Sequence, residues 1–269
     1  MISFSKKVNE VIELADIHCH ILPFVDDGAS DLEDAKDLLI EEYSQGARLI
    51  VFTPHFRYGM FETSVDKIHK YFEELKEFVS ESNLADFELF ISREYYCDER
   101  FSRLLDGYKD NADLITYEET SYNPKEEIIP FGENNCILME FSSSRMQDKD
   151  FEIFINKASN AGLTPIIAHA ERCPAIQKRP TIVDQMIDQG AYIQVNCESI
   201  LAKNKTNESE TARLLVQNQM VDILSSDAHD LEYRKPNLKK CYSLIEKRYG
   251  KKTADKLLFD NAMSLVYGR

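Results

Sequence analysis

Glycine and proline are scarce, nine and eight among 269 residues, which excludes collagen-like or low-complexity character and leaves little room for long disordered linkers. No stretch of about 18 apolar residues occurs, and the N-terminus lacks an apolar signal-peptide core, so neither a membrane span nor secretion is expected and the chain is read as cytoplasmic. Cysteine is thinly spread. The six residues (19, 97, 136, 173, 197 and 241) form no C-x-x-C pair, so no zinc knuckle, thioredoxin-type centre or disulfide framework is indicated and reduced thiols are expected. Basic residues are outnumbered, 32 Lys and Arg against 47 Asp and Glu, for a net charge of −15. A nucleic-acid backbone or an anionic membrane would be repelled unless a local patch reversed that field, and neither is an expected partner.

What remains is an ordinary globular composition, 43% hydrophobic, sufficient for one sizeable core. Short β-branched or apolar runs at 14–18, 48–53, 88–92, 136–141, 164–168, 192–196 and 221–225 alternate with longer amphipathic stretches at 31–45, 65–80, 149–160, 182–189 and 211–219. Two further helices are expected near 237–249 and 253–259. Ser30 is placed as an N-cap, and Gly46, Gly162 and Gly190 as helix terminators. Strand–helix alternation of this kind implies an α/β fold on a parallel sheet, in one domain because no linker interrupts it. Residues 101–135 show little periodicity and are expected to form a long excursion over one end.

Five of the six histidines fall at or just after the carboxyl ends of the expected strands, where parallel α/β folds display their ligands. Asp16-Ile17-His18-Cys19-His20 places two imidazoles at a spacing of two, able to hold one ion together, with Asp26-Asp27-Gly28 following. His55 ends Val51-Phe52-Thr53-Pro54-His55. Glu94 follows Phe90-Ile91-Ser92-Arg93, and Glu140 lies in Ile137-Leu138-Met139-Glu140-Phe141; each, taken alone, could equally be a solvated strand end or an ion-pair partner. His169 and Arg172 end Ile166-Ile167-Ala168-His169-Ala170-Glu171-Arg172, Asp227 and His229 end Ser225-Ser226-Asp227-Ala228-His229, and Arg234 comes shortly after. Imidazole and carboxylate together suit zinc, manganese or iron. His69, in an amphipathic run, is read as an exposed helix residue.

These segments together resemble the polymerase and histidinol phosphatase (PHP) superfamily. The run from Asp16 to Gly28, Gly59-Met60-Phe61-Glu62 and Ala168-His169-Ala170-Glu171-Arg172 are similar to the bacterial tyrosine phosphatases of capsule and exopolysaccharide loci, the CpsB/YwqE type. The resemblance begins near Asp16 and runs to the C-terminus, so residues 1–15 are an N-terminal extension and 16–269 the PHP-type domain. It implies a distorted TIM-like (β/α)7 barrel with three divalent ions, manganese in the first place, with iron or zinc as alternatives. It further implies that His18, His20 and Asp227 hold one ion, that Glu94 bridges to a second completed by Glu140 and His169, and that Asp27, His55 and His229 hold the third. Asp26 is an alternative to Asp27. Arg172 and Arg234 match the family's phosphate-contacting arginines. Phe24 departs from the family by standing where glycine is common.

The implied activity is hydrolysis of protein phosphotyrosine by hydroxide bridging two ions. Three divalent ions exceed the charge of the four carboxylates by two, and the arginines raise this surplus to four, which admits a phosphate dianion to an acidic protein. The implied partner is an autophosphorylating bacterial tyrosine kinase controlling polysaccharide assembly. Rival readings are a small-molecule PHP phosphatase acting on histidinol phosphate or a nucleotide, an amidohydrolase, and a metal-binding regulator without turnover. Cys173 and Arg179 satisfy the C-x5-R string of cysteine phosphatases, but the segment lacks the glycines that wrap a phosphate, so this match is read as accidental.

Overall fold

A computed structural model describes residues 12–84, 86–141 and 146–268. The N-terminal extension therefore lies largely outside the described residues, although Leu14 and Ala15 already belong to the first strand. The strands are β1 (Leu14–Cys19), β2 (Ala47–Phe52), β3 (His55–Phe56), β4 (Glu88–Ile91), β5 (Glu94–Tyr96), β6 (Ile115–Tyr117), β7 (Thr120–Tyr122), β8 (Cys136–Glu140), β9 (Thr164–Ile167), β10 (Tyr192–Asn196) and β11 (Ile223–Ser225). One parallel sheet has the order β1-β2-β4 and another the order β11-β10-β9-β8-β5-β3, while β6 and β7 form a separate antiparallel hairpin. Each of the seven expected strands is present, and two of them are followed, after a short break, by a further strand. Pro54, which has no N–H to give a ladder, separates β2 from β3, and Ser92-Arg93 separates β4 from β5. The two sheets meet where Cys19 bridges Ala228 in parallel and where His18 O accepts from Asp227 N at 2.8 Å.

Two apolar layers follow from the strand period of two. Ala15, Ile17, Leu49, Val51, Leu138, Ile166 and Ile223 pack into the smaller cluster, with Ala262, Leu265 and Val266 of the last helix (Asn261–Tyr267). That helix covers the amino ends of the strands, since Asn261 Nδ2 donates to Asp222 O and Asn134 Nδ2 to Ser264 O. Leu14, Ile50, Phe52, Ile137, Met139, Ile167 and Ile193 face the larger cluster under the surrounding helices. In β1 the alternation slips, Leu14 and Cys19 sharing the larger cluster, and the pairing with β2 also slips between Asp16 and Cys19.

The first helix, α1 (Leu32–Gln45), is capped by Asp31, whose carboxylate accepts from Glu33 N and Asp34 N; Ser30 instead donates to Asp34. Gly46, at φ 108°, ends it in the left-handed region. Residues 101–135 are more ordered than their composition suggests. A helix, Glu99–Lys109, starts at the Asp98 cap and buries Phe101, Leu104 and Leu105 at helical spacing. Gly107 interrupts that pattern because a Cβ there would lie 2.7 Å from Ile115 and 2.8 Å from Pro124. The chain end, expected as a helix near 253–259, is Lys251–Asp255, a π-type turn and the last helix in succession.

Candidate metal centre

Every histidine expected at a strand end is brought to one place. Four overlapping sets of ligand atoms lie within 4.8 Å of one another: His20, Asp27, His55 and His229; His18, His20 and Asp227; His18, Glu94 and His169; and His55, Glu94 and Glu140. Glu94 is the hub. Its Oε2 stands 3.4 Å from His18 Nε2, 3.3 Å from His20 Nε2 and 2.9 Å from His55 Nδ1, and its Oε1 2.8 Å from His169 Nε2. Asp227 Oδ1 is 3.5 Å from both His18 Nε2 and His20 Nε2. Asp27 Oδ1 is 3.5 Å from His55 Nε2 and from His229 Nε2. Glu140 joins His55 and Glu94 in one set, while His169 joins Glu94 and His18 in another. His69 stands apart, exposed on the helix Val65–Glu81.

The backbone turns two of these side chains toward the cluster at a cost. His169 (φ 29°) and Asp227 (φ 55°) both adopt the left-handed region, which non-glycine residues enter only when the surroundings impose it. Gly28 has a different reason. A Cβ would lie 1.9 Å from His20 O, so only glycine lets the Asp26-Asp27 loop fold against the second histidine.

The electrostatics are those of a cation site. Burial opposes charge on His20 and His169, yet Asp26 holds the His20 imidazolium well above its ordinary range and Glu94 holds His169 at about 9. Burial likewise opposes ionisation of Glu94 and Asp227, and the neighbouring rings, His18 foremost, keep both carboxyls well below their ordinary range. His229 is pushed down to about 4 by burial and by the charge on His20. Glu94 Oε1 and Oε2, Asp227 Oδ1, Glu140 Oε2 and His229 Nε2 are buried yet make no hydrogen bond of acceptable geometry among the described residues. Buried polar atoms are normally satisfied, and five such atoms converging among imidazoles fit divalent cations.

Around this cluster stand Asp26, which the sequence offered only as an alternative to Asp27, and residues that it did not assign. Asp26 Oδ2 lies 2.7 Å from His20 Nδ1 and accepts from His55 N at 3.0 Å, and Oδ1 accepts from Gly28 N at 3.0 Å. It therefore orients a ring from behind, and Asp27 is the carboxylate that faces the other ligand atoms. Gln194 Oε1 lies 3.0 Å from His18 Nδ1 and accepts from His169 N at 2.7 Å, while Gln194 Nε2 donates to Asn196 Oδ1. Two polar residues spaced by two on the apolar strand β10 were the available signal. Gly59-Met60-Phe61-Glu62 also acquires a reason: Gly59 (φ 70°) makes the turn, the Phe61 ring stacks on His55 at 4.9 Å, and Glu62 pairs with the buried Arg100 at 2.8 Å.

Arg172 Nη1 and Arg234 Nη2 both donate to Asp227 Oδ2, at 2.9 and 2.8 Å, so the two arginines border the cluster on one side. A cavity of about 330 Å³ opens beside His229, lined also by Gly28, Asp230 and Leu231. The C-x5-R string does not form a phosphate cradle. Burial raises the Cys173 thiol, and Arg179 pairs with Asp148.

Comparison with known proteins places these features in a lineage. The tyrosine-protein phosphatase CpsB of Streptococcus pneumoniae is 32% identical over 258 residues, covering 94% of this chain and 98% of that protein. The tyrosine-protein phosphatase YwqE of Bacillus subtilis (strain 168) is 25% identical over 238 residues, covering 88% and 85%. A solved structure described as belonging to YwqE from Bacillus subtilis and CpsB from Streptococcus pneumoniae, "unique metal-dependent tyrosine phosphatases", superposes with a TM-score of 0.77 at 23% identity, covering 94% of each chain. The family described as "Capsular polysaccharide synthesis, CpsB/CapC" matches residues 14–267, from the first residue of β1 to the end of the last helix, and with a relative this similar along nearly its whole length the chain belongs to that family.

Proposed function

We propose that the protein is a metal-dependent hydrolase that removes phosphate from protein phosphotyrosine in capsule or exopolysaccharide synthesis. The observation that carries this is the convergence of five histidines and three further carboxylates on Glu94, with buried oxygens that make no hydrogen bond among the described residues, beside two arginines. The strands form a seven-stave barrel in which β2 with β3 and β4 with β5 each make one stave, closed through the Cys19–Ala228 bridge. Three divalent ions, manganese in the first place, would be held there: one by His18, His20 and Asp227, a second by Glu94, Glu140 and His169, and a third by Asp27, His55 and His229. Ions so held would supply Lewis acidity and lower the pKa of water toward neutrality.

The chain's own residues do the rest. Arg172 and Arg234 bind the phosphate oxygens and neutralise charge as the ester bond breaks. Glu94 and Asp227, kept ionised by the rings around them, hold the cluster's geometry. A phenolic leaving group has a pKa of about 10, so its departure demands less protonation than an alkoxide would. No cysteine nucleophile is involved. The substrate is a phosphotyrosine-bearing partner, an autophosphorylating tyrosine kinase, and among the described residues no helix is long and apolar enough to cross a membrane.

The test is hydrolysis of a phosphotyrosine peptide beside histidinol phosphate and a dinucleotide, after chelation and after manganese is restored. Restored activity favouring the peptide is expected. Restored activity on another substrate would move the function to a sister branch of the superfamily, and chelator-resistant activity would refute the metal site. His169→Ala should lose both metal and turnover, whereas Arg172→Ala should keep its metal and lose phosphate affinity.

A further inference from the structure

Three donors converge on one oxygen. Asp227 Oδ2 accepts from Arg172 Nη1 at 2.9 Å, Arg234 Nη2 at 2.8 Å and Asn196 Nδ2 at 2.7 Å. Oδ1 of the same carboxylate accepts no hydrogen bond among the described residues and faces His18 and His20. The carboxylate is thus divided, one oxygen held by N–H groups and the other free for a cation. The three donors differ in their surroundings. The arginine side chains are 34% and 29% exposed and border the site, while Asn196 is 2% exposed.

A phosphate dianion competes with Asp227 for both guanidiniums, because paired N–H donors match phosphate as well as carboxylate. When they turn to the phosphate, Asp227 Oδ2 loses two of its three donors just as the orientation of Oδ1 matters. Asn196 is built to stay. Its Oδ1 accepts from Gln194 Nε2 at 2.9 Å, its backbone N–H donates to Glu171 Oε1 at 3.2 Å, and Gln194 is itself tied to His18 and to His169 N. A neutral amide is also not drawn toward an incoming anion as a cation would be.

We propose that Asn196 is a positioning residue that keeps Asp227 Oδ1 aimed at His18 and His20 while Arg172 and Arg234 transfer from Asp227 to the substrate phosphate. This rests on the reading of Asp227 as a metal ligand and of the two arginines as phosphate ligands. The transfer is an exchange of hydrogen-bond partners, with no proton or covalent bond moving.

The experiment measures manganese binding to the chelated full chain by calorimetric titration, with and without saturating inorganic phosphate, for the parent, Asn196→Ala and Asn196→Ser. Without phosphate, the Ala variant is expected to bind manganese within about 3-fold of the parent, because both guanidiniums still hold Asp227. With phosphate it should bind about 10-fold more weakly than the parent under the same condition, the lower end of what losing an outer-sphere partner costs a metal site. The Ser variant, which retains a donor, should fall between them, and it carries the comparison if the Ala variant shows no cooperative melting. Equal affinities in parent and variant with phosphate present would overturn the proposal. So would a weakening of the same size with and without phosphate, which would mark Asn196 as merely structural. Phosphate affinity unchanged in Arg172→Ala would instead refute the underlying arginine reading, and the proposal with it.

Discussion

Asp26 and Asp27 are adjacent carboxylates with opposite assignments, and removing each in turn separates them. The Asp26 side chain is fully buried and satisfies three groups, His20 Nδ1, His55 N and Gly28 N. In Asp26→Ala all three lose their acceptor, at about 1–3 kcal/mol for each buried group left unpaired, so a loss of about 3 kcal/mol is the least expected. In a domain of this size about 1 kcal/mol shifts the melting temperature by roughly 2–4 °C, which puts the fall in the metal-free protein at about 6 °C or more. Asp27 is half exposed, and its Oδ1 faces His55 and His229 at 3.5 Å without satisfying a backbone group. Asp27→Ala should move the metal-free melting temperature by less than about 2 °C, as for ordinary surface substitutions, yet lower the number of manganese ions bound. Asp26→Ala should keep the number and weaken binding by about 10- to 100-fold through a misoriented His20. Calorimetric melting of chelated protein and manganese titration read both quantities. An Asp26→Ala variant as stable as the parent, or a larger stability loss in Asp27→Ala, would refute the division.

Gly28→Ala should destabilise the fold by about 1–3 kcal/mol and weaken manganese binding, because the new methyl meets backbone oxygen His20 O at 1.9 Å and the ligand must move; a variant melting with the parent would contradict this. Cys173→Ser should leave turnover within about 2-fold, an effect below 0.5 kcal/mol, since the thiol is buried and raised rather than activated; a metal-replete but inactive variant would restore the cysteine mechanism. Glu42 is wholly buried in α1, neither carboxylate oxygen makes a hydrogen bond of acceptable geometry among the described residues, and burial, then the charge of Asp16, raises its pKa well above the ordinary value. The folded state therefore favours the protonated acid, and this contribution is present below the ordinary carboxyl range and lost as the pH rises through the raised value. Glu42→Gln should accordingly melt higher than the parent near pH 8, with the gain shrinking toward pH 5; a pH-independent difference would show that Glu42 does not titrate as described.

The residues of the candidate site were legible because they break the apolar pattern at strand ends. Imidazoles and carboxylates spaced by two, at the close of runs such as Ile137-Leu138-Met139-Glu140, cannot be explained by core packing. Gln194 and Asn196 carry the same signal on β10 but went unread, since an amide neither titrates nor binds these metals by preference, and its value lies in what it touches. The helix Glu99–Lys109 was hidden by Gly107, whose lack of a side chain is explained only by Ile115 and Pro124 packing against it from later in the chain. Likewise the shift of the α1 cap from Ser30 to Asp31 turned on which of two adjacent oxygens reaches the free N–H groups.

Local order, the α/β alternation and which imidazoles and carboxylates gather at the strand ends were determined by the sequence itself, because periodicity, caps and donor chemistry are properties of neighbouring residues. Tertiary structure alone decided that Glu94 is the hub, that Asp26 backs His20 while Asp27 faces the cluster, and that one oxygen of Asp227 gathers Asn196, Arg172 and Arg234. Those relations join residues far apart in the chain, such as His20 with Glu94, His18 with Asp227, and His18 with Gln194, which lie 176 positions apart, and hydrogen bonds at 3 Å depend on strand register and backbone strain that no local pattern encodes.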